Sequence, residues 1–240
     1  RYATASAFFC TKQLRKKVVS VYSAKMDVNH NSPKKNQNAQ RLATEVRREQ
    51  IALAALHLIG TKGLEGMSIA GIAQEIGLVP SAIYRHFKGK NEILDAVNDL
   101  IRDRLLGLVA SVLKEKNDPV AQLHTLLQRH VALVKTHIGI PRYVFSVEGS
   151  GVSKDNNQRL YGAVQAYLAK VTRIIRQGQA SGHINTEMDA ATLAFMFLGL
   201  LQPAIFLHHL SGGLFDIEEQ TERAWTIFSY TLTPPPSPLP

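Results

Sequence analysis

Cysteine is all but missing from this 240-residue chain; Cys10 stands alone. One thiol excludes an internal disulfide framework and a cysteine-based zinc site. The signatures of common catalytic sites are absent too. There is no G-x-S-x-G, no H-E-x-x-H, no glycine loop of the phosphate-cradling kind and no cysteine close to a histidine. His130 and His137 are seven positions apart without further ligands at helical spacing, and His208 and His209 point apart on a helix, so no metal is expected. The chain reads as a non-enzyme with no cofactor; Glu148 beside His130 is the nearest thing to a catalytic pair, and nothing points to it. Alternating strand patterns are lacking, as are internal repeats. The longest apolar run, 193–210, is interrupted by Gln202, Pro203, His208 and His209 and reads as a buried helix, not a membrane span.

Acidic residues are scarce in one half only. Residues 1–90 hold 15 Lys and Arg against 5 Asp and Glu, whereas residues 91–240 hold 13 against 14. A solvated face accounts for a local run such as Lys34-Lys35, but not for charge polarised between two halves. A basic head on a neutral body is what phosphate neutralisation on nucleic acid requires.

The most informative stretch is 68–87. Ile69, Ile72, Ala73 and Ile76 recur at helical spacing, Gly77 follows where a helix leaves by the left-handed conformation, and Pro80 suits the first turn of a new helix. Ile83 and Phe87 face inward at i and i+4, leaving Ser81, Ala82, Tyr84, Arg85 and His86 outward or sideways. This is the layout of a helix-turn-helix whose second helix enters the DNA major groove, with an ordinary helical hairpin as the bland alternative.

The flanks bring in a family. Arg48, Ile51, Ala54-Ala55, Leu58, Gly63, Gly66-Met67-Ser68-Ile69, Ile72-Ala73, Gly77-Leu78 and the ending Tyr84-x-His86-Phe87-x-x-Lys90 before Glu92-Ile93-Leu94 resemble the TetR family of bacterial transcriptional repressors. The resemblance covers about a fifth of the chain. Two positions depart from it: Val79 stands where such proteins commonly have a capping Ser, and Ala82 where Thr or a similar residue is usual. Operator sequence therefore cannot be borrowed. The resemblance implies that Ser81 and Ala82 lie closest to base edges, with Tyr84 and His86 near phosphate. The DNA-binding set expected is Arg47, Arg48, Ser68, Pro80, Ser81, Ala82, Tyr84, Arg85, His86, Lys88 and Lys90. Ser68 caps the first helix of the motif, Arg47 and Arg48 act electrostatically, and Lys88 and Lys90 flank a helix start suited to phosphate.

The chain is thus expected to be all-α, with an N-terminal three-helix helix-turn-helix domain and a C-terminal helical effector-binding and dimerisation domain. Residues 1–40 read as an extraneous or disordered extension, 41–90 as the DNA-binding domain, 91–233 as the helical body and 234–240 as a proline-rich tail. Met26 offers an alternative start, with 1–25 upstream of it; Arg15-Lys16-Lys17 could also mimic a targeting segment, or the segment's cations could form an arm in the minor groove. Helix 1 is expected over 42–61. Gly139 and Pro141 are expected to break a helix that begins at Asp118-Pro119, with a shorter one following at 142–148. A loop is expected at 149–151, a long helix over 155–180, and Asp189 and Asp216 as caps of the last two.

Those last two helices are apolar over more than one face. A second copy covers such a surface more readily than this chain alone, the alternative being a second packed layer of the same chain. The resemblance implies a four-helix homodimer interface, to which Phe197, Leu201, Phe206, Trp225 and Phe228 are assigned. A dimer also spaces two recognition helices by about 34–36 Å, one turn of DNA. Material for an effector pocket lies in Leu105, Leu127, His130, Val134, Tyr143, Phe145, Tyr161, Tyr167 and Phe195, each of which also serves as plain core. Apolar walls with a few polar tips suit a hydrophobic or aromatic effector. The expected function is a cytoplasmic, homodimeric repressor on a palindromic operator, released by a small molecule; the alternative is an architectural DNA-binding protein without an effector.

Overall fold

The computed structural model describes residues 33–115, 118–146 and 153–234. Expectations for 1–32, for the loop at 149–151 and for the chain end at 235–240 lie outside the described residues. The chain divides into two units, Arg1–Ala43 and Thr44–Pro240. The first contributes to the described residues only the opening of α1; every later element belongs to the second. Among the described residues every regular element is a helix, and there is no strand.

Helix α1 spans Pro33–Lys62. It begins earlier than the 42 expected from the sequence, because proline is tolerated at a first turn and no breaker follows it before 42. Its second half buries Ile51, Ala52, Ala55, Leu56, Leu58 and Ile59. Helices α2 (Ile69–Glu75) and α3 (Pro80–Tyr84) pack their inner faces, Ile72, Ala73 and Ile83, against it with Phe87.

The body begins with α4 (Lys90–Leu113), followed by α5 (Pro119–Thr136). Asp118 caps α5 as expected, accepting from the N–H groups of Val120 and Ala121 at 2.9 and 3.0 Å. Helix α6 (Gly139–Ser146) starts at Gly139. The sequence pattern puts Gly139 and Pro141 in a break before a helix at 142; instead they form that helix's first turn, where proline's missing N–H costs nothing. Helix α7 (Lys154–Ala180) is capped by Ser153, whose hydroxyl accepts from Asn156 N–H.

The run that reads as one buried helix is two: α8 (Ala190–Gly199) and α9 (Gln202–Leu210). Pro203 lacks the N–H that would continue the ladder and its ring clashes with the preceding turn, so the chain tightens at Leu201 N–H to Leu198 carbonyl, 3.2 Å. By length and composition Ala190–Leu210 could cross a membrane. Its inner side, however, lies in the protein core through Leu193, Ala194, Phe197, Leu201, Ala204 and Ile205. Helix α10 (Ile217–Leu232) closes the body, with Asp216 capping it through Glu219 N–H.

Helices α4 and α7 lie along each other, α8 packs on α7, and α5 packs on α10. Two polar contacts fix these pairs. Asn98 on α4 donates its amide to both the carbonyl and the side-chain oxygen of Asn156 on α7, each at 3.1 Å in the interior. On the α5–α10 seam the His124 ring stacks on Trp225 (centroids 4.8 Å, planes 6° apart) and bonds Glu222 at 2.8 Å.

Candidate nucleic-acid interface and effector cavity

The helix-turn-helix is built from local hydrogen bonds. The Ser68 hydroxyl caps α2, accepting from Gly71 N–H at 3.1 Å. Gly77 adopts φ 69°, and the N–H of Leu78 closes on the Ala73 carbonyl at 2.8 Å. Only glycine takes that left-handed turn without strain. Val79 precedes α3 and makes no side-chain cap. Pro80, Ser81, Tyr84 and Arg85 are exposed on α3, Ala82 and His86 are half-buried, and Ile83 and Phe87 are buried.

Several of the cations expected at this surface have other engagements. Arg48 lies over the Phe87 ring, 4.1 Å from its centroid, donates to the His86 carbonyl and pairs with Glu92 at 3.2 Å. It is a clamp between α1 and the α3–α4 turn, which corrects its expected role as an outward electrostatic residue. Glu92 also accepts the Lys88 N–H at 2.7 Å, so a carboxylate already occupies part of the α4 start. Lys90 turns back to donate to the Leu64 carbonyl at 3.0 Å. Arg47, Arg85 and Lys88 have no such engagement among the described contacts. The surface remains electropositive: burial first, then the charges of Arg47, Arg48 and Arg85, lower the pKa of His86 below the ordinary 6.5.

In the body, a cavity of about 60 Å³ opens between α4, α5, α6, α7, α8 and α9. Of the residues assigned to an effector pocket, Leu105, His130, Val134, Phe145 and Tyr167 line it; Ile140, Pro141, Val144, Val164, Leu198, Gln202 and Ile205 complete it. Of the other expected lining residues, Leu127 and Tyr143 are core residues away from the cavity wall, and Tyr161 and Phe195 are exposed. Gln202, alone among apolar neighbours beside Pro203, is the one sequence signal that could have added a missed wall residue. His130 Nδ1 and the Tyr167 hydroxyl lie 3.2 Å apart with their rings edge-on.

Helix α6 joins cavity and head. Four of its residues line the cavity, while Arg142 donates to the Gly60 carbonyl of α1 at 3.0 Å and Gly139 abuts Leu56.

The expected dimer-interface residues divide differently. Phe197, Leu201, Trp225 and Phe228 are buried within the protomer, and only Phe206 is exposed. The amphipathic turn of α10 explains this: Trp225 and Phe228 share the inner face, so Ile227 (70% exposed) and Tyr230 (76%) share the outer one. Phe195, Met196, Leu207, Leu210 and Leu214 are exposed as well.

Comparison with known proteins places both halves. Residues 51–97 match the family model for bacterial regulatory proteins of the tetR family, and residues 119–228 match that for the tetracyclin repressor-like C-terminal domain. Among curated relatives, the nucleoid occlusion factor SlmA of Vibrio vulnificus is 23% identical over 190 residues, covering 76% of this chain and 94% of its own. Its Escherichia coli O1:K1 counterpart is 26% identical over 163 residues, covering 66% and 82%. Among solved structures, the transcriptional regulator FadR of Bacillus subtilis in complex with stearoyl-CoA aligns with a TM-score of 0.66 at 19% identity, covering 76% of this chain and 98% of that one. A TetR transcriptional regulator of Chloroflexus aurantiacus aligns with a TM-score of 0.68 at 19% identity, covering 79% and 98%.

Proposed function

The chain belongs to the TetR family of bacterial regulatory proteins, and from that premise we propose that it is an effector-responsive repressor acting as a homodimer on a palindromic operator. The observation that carries this reading is the double contact of α6, with the cavity on one side and with α1 of the head on the other. A guest that displaces the α6 side of the wall moves α6, and through Arg142 and Gly139 that movement reaches α1 of the head. In a dimer, that changes the distance between two recognition helices whose fit to DNA needs about 34–36 Å. A ligand acts in this way only through unequal affinity for the two states.

The apolar outer faces of α8, α9 and α10 supply the surface for the second copy. The mostly apolar cavity wall suits a small hydrophobic or aromatic effector, and FadR, a fold neighbour bound to stearoyl-CoA, supports an apolar guest. On DNA, Ser81 and Arg85 face the groove while Arg47, Tyr84, His86 and Lys88 serve phosphate. The protein works in the cytoplasm, on the nucleoid when bound.

A second reading has its own support: the curated relatives are named nucleoid occlusion factors. In that case DNA binding itself is the function and no effector releases it. A salt-titrated binding assay on the DNA beside the protein's own gene separates the two. Tight, steeply salt-dependent binding to one palindrome that hydrophobic ligands abolish supports the repressor. Binding indifferent to every ligand supports the second reading, and absence of binding at low salt overturns both.

A further inference from the structure

None of the twelve residues that line the body cavity carries a formal charge at neutral pH. The polar atoms on the wall come from His130, Tyr167 and Gln202, and the first two are almost wholly buried. No lysine or arginine stands there to pair a carboxylate, and no aspartate or glutamate to pair an ammonium. An ion entering this space would give up its hydration with nothing in exchange.

His130 cannot supply the missing charge. Burial holds its pKa down to about 4, and the same desolvation pushes that of Tyr167 upward, so both rings are neutral at physiological pH. Their 3.2 Å contact fixes what a guest meets. If the hydroxyl donates to Nδ1, the hydrogen on Nε2 remains; if Nδ1–H donates, the hydroxyl hydrogen remains. Either tautomer keeps one donor hydrogen beyond the pair.

We infer that the part of the effector entering this cavity is an uncharged, largely apolar group carrying one oxygen, of ester, thioester, ketone or alcohol type, which accepts a hydrogen bond from the His130–Tyr167 pair. This rests on the effector reading above and narrows it: a carboxylate or an ammonium group is excluded from the cavity, and any charged portion of the ligand stays outside it. At about 60 Å³ the space is well below the roughly 150 Å³ of a cavity that takes up benzene, so a longer guest must displace a wall. Phe145 is the exposed residue of the wall, and its ring meets that of Phe206 edge-on at 5.9 Å.

The test uses the full chain at neutral pH with probes of one chain length: octanol, methyl octanoate, octanoate and octylamine, plus toluene as an apolar guest without oxygen. Binding is read directly, by calorimetry and by the shift in melting temperature, without DNA. Octanol and methyl octanoate are expected to bind at least about tenfold more tightly than octanoate or octylamine. Whichever of Tyr167→Phe and His130→Leu removes the donating group is expected to weaken octanol about fivefold to tenfold while leaving toluene unchanged. Octanoate binding as tightly as methyl octanoate overturns the uncharged class and leaves the effector reading standing. Octanol affinity unchanged in both variants overturns the hydrogen-bonded oxygen. Failure of every probe, toluene included, overturns this inference together with the effector reading. The wild-type series decides the charge question even if a variant does not fold.

Discussion

Gly139 lies so close to Leu56 that a Cβ on it would stand 2.0 Å from the Leu56 carbonyl oxygen. No side chain fits there without moving backbone, since the obstacle is a helix carbonyl and not a flexible tip. Gly139→Ala is therefore expected to push α6 off α1 at a cost of about 1–3 kcal/mol. Melting temperature should fall, and the DNA response to an effector should weaken more than effector binding does. A variant with wild-type stability and response would separate α6 from the coupling.

Arg48 and its neighbour Arg47 should behave differently. Arg48→Ala removes the ring contact, the bond to the His86 carbonyl and the Glu92 partner, so it should destabilise the head by about 1–2 kcal/mol and misplace α3. Arg47→Ala should leave the melting temperature unchanged and flatten the salt dependence of DNA binding by about one unit. Equal melting temperatures in the two variants would refute the clamp.

His86 sets a pH dependence. Free, its pKa lies below 6.5 because burial and three neighbouring arginines disfavour the charged ring. A bound phosphate favours the charged ring and raises the value, so complex formation takes up a proton between the bound and free pKa. Affinity should rise as pH falls through the bound value, level off below the free one and be flat at higher pH. His86→Gln should abolish the dependence; its persistence removes His86 from the phosphate contacts.

Val79 leaves α3 without a side-chain cap. Val79→Ser restores an acceptor for its free N–H groups and should stabilise the head by about 0.5–1 kcal/mol. Thermal denaturation reads this directly, and an unchanged midpoint argues that the start of α3 is satisfied by solvent.

Ile227 sits on the outer face of α10 and Phe228 on the inner. Ile227→Glu should yield a folded monomer that no longer binds a full palindrome, whereas Phe228→Ala should lower stability by about 3–5 kcal/mol. Sedimentation showing an intact Ile227→Glu dimer would move the interface elsewhere.

What the sequence disclosed was mostly local. Ser68, Gly77, Asp118, Asp189 and Asp216 act within a turn of themselves, so residue type and spacing were enough to assign them. Arg48 was not legible because its partners, His86 and Glu92, are 38 and 44 positions away. Apolar periodicity identified Trp225 and Phe228 as buried but could not say whether their own protomer or a second copy buries them. The cavity was half legible: five wall residues followed from the helix faces, whereas Gln202 and Ile205 depended on the break that Pro203 makes. Gly139 and Pro141 show the same ambiguity, since residues that end one helix can equally begin the next.

The flat stack of His124 on Trp225 has an optical consequence. Trp225 is the chain's sole indole, so all tryptophan emission comes from one place, the seam between α5 and α10. The surroundings of that indole change when α10 parts from α5, because the His124 ring leaves its face, and the emission changes with them. The protein thus carries a native fluorophore on the helix whose outer face the second copy is proposed to cover, and subunit association can be followed in it without any label.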